Sequence, residues 1–254
     1  MSWNGRHQPT SPGETVGTAV LFDLDGTLLD HASASRGALE DLYRQHHAHI
    51  RLVETDFLAA WAQASSAHFG QHEHGKLTYA QQGRLRIRAA FGNEAIEDDT
   101  ASRYFADFVD AYESRWTLFP DVLPCLELLQ DRPLGIITNG NPQQQRKKLR
   151  TLGLDRFFKT VLISSEFGAA KPAPGIFLEA VRRLGSSPSR SLVVGDSWEH
   201  DILGARNAGM QAAWLNRTAQ PYRQGIPNLG SLEGLQEILD LVAPGTPASL
   251  DRAA

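Results

Sequence analysis

Five short runs of apolar, β-prone residues recur along this chain: Thr18–Leu24 (TAVLFDL), Leu134–Asn139 (LGIITN), Thr160–Ser165 (TVLISS), Ser191–Asp196 (SLVVGD) and Ala212–Leu215 (AAWL). None of them alternates. A strand with one face in water alternates apolar and polar residues, whereas a strand covered by helices on both sides of a parallel sheet is apolar throughout. Helical patterns separate the last four runs. PQQQRKKLRTLGL and GIFLEAVRRLG are amphipathic and end near glycine, and EHDILGARNAGM carries Ile202, Leu203 and Ala205 on one side. Strand, helix, strand, helix, strand is the order of an α/β fold built on a doubly wound parallel sheet.

The segment from about Asp30 to Leu118 breaks the rhythm. It holds the helical patterns SRGALEDLYRQHHAH, TDFLAAWAQASSAHFGQ, LTYAQQGRLRIRAAFG and DTASRYFADFVDAYESRW and no convincing strand. Its position, just after the carboxyl end of the first strand, is where open α/β sheets place function, so it reads as an inserted helical cap. The expected division is a flexible lead-in over residues 1–17, an α/β core over 18–30 and 119–242, the cap over 31–118 and a tail over 243–254, both ends being polar and rich in small residues.

The balance of 25 Lys+Arg against 29 Asp+Glu gives a formal charge of −4, which offers no reason to expect a nucleic-acid or anionic-membrane partner. One cysteine, Cys125, excludes an intrachain disulfide and fits a reducing compartment; it falls in the apolar pattern of DVLPCLELLQ and reads as buried packing. No run reaches the length of a membrane span and the polar start lacks a signal-peptide core, so the expected location is cytoplasmic, as a monomer or homodimer.

Reactive groups cluster where the runs end. Asp23 and Asp25 close the first, separated only by Leu24 and followed by Gly26 and Thr27. Taken alone, the pair is either an ordinary polar strand exit or two carboxylates held together for a cation or a proton transfer. Thr138 and Asn139 close the second run, Lys171 follows the third in GAAKPAPGIF, and Asp196 closes the fourth with Asp201 five residues on. In a parallel sheet these ends share one edge. Several carboxylates around one point call for a hard cation such as Mg²⁺, and a lysine and a hydroxyl opposite it complete a cradle for a transferring phosphoryl group. One carboxylate could attack phosphorus; a second, kept partly protonated by its acidic neighbour, could serve the leaving oxygen.

FDLDGTLLD, ITNG, KPAPGIF and GDSWEHD together resemble the four ordered motifs of the haloacid dehalogenase-like hydrolases, in the phosphatase branch with a helical cap, over roughly residues 18–216. The resemblance implies a Rossmann-like hydrolase core, with Asp23 as nucleophile and Mg²⁺ ligand and Asp25 as general acid/base whose main-chain carbonyl also meets the metal. It further implies that Thr138 and Asn139 bind the phosphoryl group, that Lys171 balances charge there, that Asp196 is a metal ligand, and that Asp201 holds metal-bound water or orients Lys171. The implied activity is Mg²⁺-dependent hydrolysis of a small phosphorylated metabolite through an aspartyl-phosphate, the second half of the chain being most similar to nucleotide and sugar-phosphate phosphatases. Asp25 argues against dehalogenation, since breaking a carbon–halogen bond needs no acid for an alcohol. The alternatives are a sugar-phosphate mutase of the same family and a non-enzymatic phosphate-binding protein.

Other residues carry a plain reading beside a functional one. Ser197 reads as architectural, because no Ser-His-Asp arrangement emerges. Arg84, Arg86 and Arg88 cannot all meet one helix face; Arg84 with Arg88 forms the face that could meet a negatively charged substrate, with solvent as the default. Trp198 could line the leaving-group pocket or the cap interface, and His200 could cover the site or pack. Trp61 and Trp116 read as packing aromatics. His68, His72 and His74 invite a metal reading, but no Cys or Asp completes a motif.

Overall fold

The structure, a computed structural model, describes residues 18–73 and 76–241; the expected lead-in and tail lie outside the described residues. The chain enters on β1 (Ala19–Phe22) and passes at once into four helices, α1 (His31–His46), α2 (Glu54–Glu73), α3 (Tyr79–Phe91) and α4 (Asp98–Glu113). It returns through α5 (Val122–Leu128) to β2 (Leu134–Thr138), α6 (Pro142–Thr151), β3 (Thr160–Ile163), α7 (Ser164–Phe167) and α8 (Pro174–Arg183). It then runs through β4 (Ser191–Gly195), a π-helical turn (Trp198–Leu203), α9 (Gly204–Asn207), β5 (Gln211–Leu215), β6 (Asn228–Leu229) and α10 (Leu235–Leu241).

All pairings in the sheet are parallel, in the order β3-β2-β1-β4-β5-β6. β1 is central, with Phe22 in register with Ile136 of β2 and Val194 of β4. The continuous apolar runs follow from this placement. Val20, Phe22, Val194 and Leu215 point to one face, where α5, α6 and α10 cover them, while Ala19, Leu21, Val193 and Trp214 point to the other, beneath α8 and α9.

Two details depart from the sequence pattern. The sheet has a sixth strand, β6, two residues long and paired through Leu215 and Leu229. The run expected as strand through Ser165 ends at Ile163, where Ser164 opens the short helix α7.

The helices of the insertion have start signals of their own. The Asp30 carboxylate accepts from Ser33 N at 3.0 Å at the head of α1. Thr78 and Gln81 form a reciprocal capping box on α3, which Gly92 ends in the left-handed conformation. Their apolar faces meet in a separate core that includes Leu42, Phe57, Trp61, Ile87, Phe91, Phe105 and Phe108, with Leu152 of the α/β part packed at its edge. Trp61, Trp116 and Cys125 are all buried, as their surroundings in sequence suggested.

Candidate active site

Parallel strands put β1, β2, β3 and β4 end to end at one edge, and the loops leaving that edge carry the acidic and basic groups together. Asp23 follows β1, and its amide donates to Val194 O of β4 at 3.0 Å. Gly26 turns the chain back at φ 88°; a Cβ there would lie 2.5 Å from Asp196 Oδ2, so the turn and the carboxylate can approach only because the residue is glycine. Thr27 is fully buried and meets the loop after β4. Its hydroxyl accepts from Asp196 N at 3.1 Å and donates to Asp196 Oδ1 at 3.3 Å. Trp214 on β5 donates from Nε1 to Asp196 O at 2.9 Å, fixing the same residue from the other side.

Lys171 lies at the centre. Its Nζ is 2.6 Å from Asp23 Oδ1 and 2.6 Å from Asp201 Oδ1, with all three residues buried. Asp201 also accepts from Ser197 N at 3.0 Å, and Ser197 caps the π-helical turn by accepting from His200 N, the architectural part expected of it. Asn139 brackets the Lys171 main chain: its Nδ2 donates to Lys171 O and its Oδ1 accepts from Lys171 N, both at 3.0 Å. Its side chain therefore positions the lysine loop. Thr138 is buried, and its hydroxyl accepts from Gln145 Nε2 at 2.7 Å.

Carboxylate oxygens of Asp23, Asp196 and Asp201 lie within 4.8 Å of one another, a grouping that could hold a divalent metal ion. Burial, with repulsion from Asp201 and Asp196, outweighs the pull of Lys171 and raises the Asp23 pKa well above the carboxylate range. Burial and Asp201 push Asp196 up to about 6. Lys171 is raised in turn, because Asp201 and Asp23 overcome the cost of burying its charge. Three carboxylates around one ammonium leave a deficit of positive charge, and an all-oxygen donor set suits a hard cation.

Asp25 stands apart. Its carboxylate faces α6, where Lys148 Nζ lies 2.7 and 2.8 Å from its two oxygens and Gln145 Nε2 donates at 2.7 Å. Burial works to raise its pKa, but Lys148 and His31 more than compensate and hold it below the ordinary value. The sequence suggested a second carboxylate kept partly protonated by its acidic neighbour. Here Asp25 is held below the ordinary carboxylate value instead, because a lysine rather than Asp23 is its partner.

Two connected chambers open over these groups. One, of about 170 Å³, is lined by Asp23, Lys171, Asp196, Ser197, His200 and Asp201 together with Asp25 and Asn139. The other, of about 140 Å³, shares Asp25 and Asn139 and runs up between α6 and the faces of α1, α3 and α4. The arginine on its wall is Arg86. Arg84, expected with Arg88 to face a substrate, is instead turned with Arg88 to Asp98, at 3.2 and 2.6 Å. Trp198 lines neither chamber; its ring packs edge-on against Trp214 at 5.3 Å, beneath the Arg223 guanidinium. His68 is half-buried on α2 with no partner for Nδ1, the side chain of His72 and all of His74 lie outside the described residues, and the grouping of possible metal ligands contains no histidine.

Gln145 and Lys148 are the site residues that sequence reasoning missed. In PQQQRKKLRT they sit three apart and share the buried side of α6 with Leu149, so polar residues on an inward helix face were the available signal.

A family model described as haloacid dehalogenase-like hydrolase matches residues 18–209. Phosphoserine phosphatase of Thermus thermophilus is 33% identical over 230 residues, covering 80% of this chain and 90% of that protein. N-acylneuraminate-9-phosphatase of Homo sapiens is 31% identical over 210 residues, 78% of this chain and 82% of that one. Among solved structures, YfnB from Bacillus subtilis, crystallised bound to magnesium, superposes with a TM-score of 0.72 at 29% identity and covers 88% of this chain and 99% of that one.

Proposed function

This chain belongs to the haloacid dehalogenase-like hydrolases, and we propose that it is a Mg²⁺-dependent phosphomonoester hydrolase acting on a small phosphorylated metabolite through an aspartyl-phosphate on Asp23. The observation that carries the reading is the Lys171 ammonium set between Asp23 and Asp201, with Asp196 closing a three-carboxylate cluster around the same point. Phosphoryl transfer needs little beyond such positioning and charge neutralisation. The two named phosphatases among the relatives support the reaction class, and their different substrates leave the alcohol open.

Asp23, Asp196, Asp201 and the main-chain carbonyl of Asp25 would hold the metal. Bound there, Mg²⁺ neutralises charge on the phosphoryl oxygens. In the first half-reaction an Asp23 carboxylate oxygen bonds to phosphorus and the ester P–O bond breaks. The departing oxygen takes a proton from Asp25. That proton enters with the substrate, because the second ionisation of a phosphomonoester lies near pH 6. Lys171 holds the Asp23 carboxylate in place and faces the incoming phosphoryl group, and Asn139 fixes the main chain that carries this lysine.

In the second half-reaction Asp25, as the carboxylate seen beside Lys148, takes a proton from water. The water oxygen bonds to phosphorus, and the Asp23–phosphorus bond breaks to release phosphate. The helices above the chambers limit access of bulk water to the intermediate.

The test is phosphate release from a panel of phosphorylated metabolites with and without Mg²⁺, beside the Asp23→Asn variant. Metal-dependent release that disappears in a folded Asp23→Asn protein is expected, with phosphoenzyme trapped on Asp23 in a single turnover. Normal hydrolysis by that variant would remove Asp23 as nucleophile, and no release from any ester would remove the hydrolase reading.

A further inference from the structure

Arg86 occupies the neck between the 140 Å³ chamber above Asp25 and a larger one of about 470 Å³ under α1 and α2, both of which it lines. Its guanidinium is held in place from two sides. Nε donates to Ser65 Oγ at 2.7 Å, Ser65 is itself tied to Trp61 O at 2.7 Å, and the Trp61 ring lies 4.8 Å beneath the guanidinium carbon. Among the described residues the Nη edge makes no hydrogen bond and no carboxylate lies within 4.0 Å of it. The other arginines of α3, Arg84 and Arg88, share Asp98 instead. The remaining basic groups of the chamber do not compete. Lys148 is spent on Asp25, and His31, whose pKa is lowered by desolvation in the cleft, pairs with the Tyr112 hydroxyl at 2.6 Å.

One turn earlier on the same face of α3 stands Gln82, 4% exposed, whose Oε1 has no partner among the described residues although it lines the same chamber. A buried acceptor left unsatisfied is costly unless something fills its place. A pre-set guanidinium edge and an unmet carboxamide oxygen, four residues apart and facing one chamber, together describe a recognition surface for an anion with a neighbouring hydrogen-bond donor.

Resting on the hydrolase reading above, we propose that the alcohol displaced from phosphorus when Asp23 attacks carries a second anionic group, bound by the Nη edge of Arg86, beside a hydroxyl or ammonium that donates to Gln82. Two sources fit this chemistry, a carboxylate and a second phosphoryl group. The chamber shares Asp25 with the phosphoryl site below it, so one small molecule can reach both ends. Arg86 is thereby a residue that sets specificity for the leaving group, not one that acts on phosphorus.

The experiment compares kcat/KM within matched pairs in Mg²⁺: 3-phosphoglycerate against glycerol 3-phosphate, O-phosphoserine against phosphoethanolamine, and fructose 1,6-bisphosphate against fructose 6-phosphate. The wild-type protein should favour the member with the extra anion in at least one kind of pair by roughly ten- to a hundredfold, the worth of a charged bidentate hydrogen bond. The first two pairs report a carboxylate and the third a phosphoryl group. In Arg86→Gln the ratio should fall toward one, and in Arg86→Lys, which keeps charge without the fork, it should lie between. Wild-type ratios near one in every pair overturn the proposal, and this arm needs no variant to fold. An unchanged ratio in a folded Arg86→Gln protein overturns it as well. If p-nitrophenyl phosphate and all six esters release no phosphate, the hydrolase reading has failed and this inference with it; hydrolysis without discrimination defeats only the inference.

Discussion

Lys148, carried on α6, holds both oxygens of Asp25 from a position that is itself 2% exposed. Truncating one member of a buried ion pair costs about 3–5 kcal/mol, and Asp25 retains a quarter of its side-chain exposure, which places this pair at the lower end. Lys148→Met is expected to lower unfolding free energy in a urea titration by that amount. Because it releases the proposed proton carrier from its place, kcat should also fall at least tenfold. A variant with wild-type kcat would show that the position of Asp25 does not depend on this lysine.

Metal binding is predicted to stabilise the fold, since a cation relieves repulsion among Asp23, Asp196 and Asp201. At Mg²⁺ a hundredfold above its dissociation constant the gain is about 2.7 kcal/mol. Thermal melts with MgCl₂ and with EDTA should differ for the wild type and converge for Asp196→Asn. Equal shifts in both proteins would place the ion elsewhere.

Asp121 supplies a pH prediction away from the site. It is buried at the start of α5, pairs with Arg217 at 2.8 and 2.9 Å and accepts from Leu232 N at 2.7 Å. Burial alone would raise its pKa, but these partners prevail and lower it. A carboxyl with a depressed folded pKa contributes stability that is present above its unfolded value, near 3.9, and is lost as pH falls through the folded one. Wild-type stability should therefore decline below about pH 4, and Asp121→Asn should be less stable at pH 7 with a shallower decline in that acid window. Parallel acid-unfolding curves for the two proteins would contradict this.

The packing of α3 on α4 depends on a missing side chain. A Cβ on Gly83 would sit 2.3 Å from the Phe105 ring. Gly83→Ala gains helix propensity but overpacks the junction, and a net loss of about 1–3 kcal/mol is expected. Differential scanning calorimetry that found the alanine variant equal or more stable would refute the close approach. Since Gln82 and Arg86 flank this glycine on the same helix, the ester ratios described above should change too.

The sheet and its edge were legible in the sequence for one reason: covered parallel strands are apolar throughout and all end on the same side, so the residues that follow them must converge. That logic brought Asp23, Lys171, Asp196 and Asp201 to one place. It could not reach β6, whose two residues show no period, nor the break at Ser164. It also missed Lys148 and Gln145, because a polar helix reads as solvated until its neighbours are known. For the arginines of α3, periodicity correctly grouped Arg84 with Arg88, but which face turns to the cleft depends on how the helices pack, and that face belongs to Arg86.

The helical insertion closes around aromatic residues of its own and meets the α/β part at Leu29 and Leu152. His31 apart, which faces Asp25, mutations on the inner faces of α1 and α3 can therefore accumulate with little effect on the strand-end carboxylates. Such a chain can change what it acts on while keeping how it acts, and divergence among its relatives should be concentrated above the cleft, not below it.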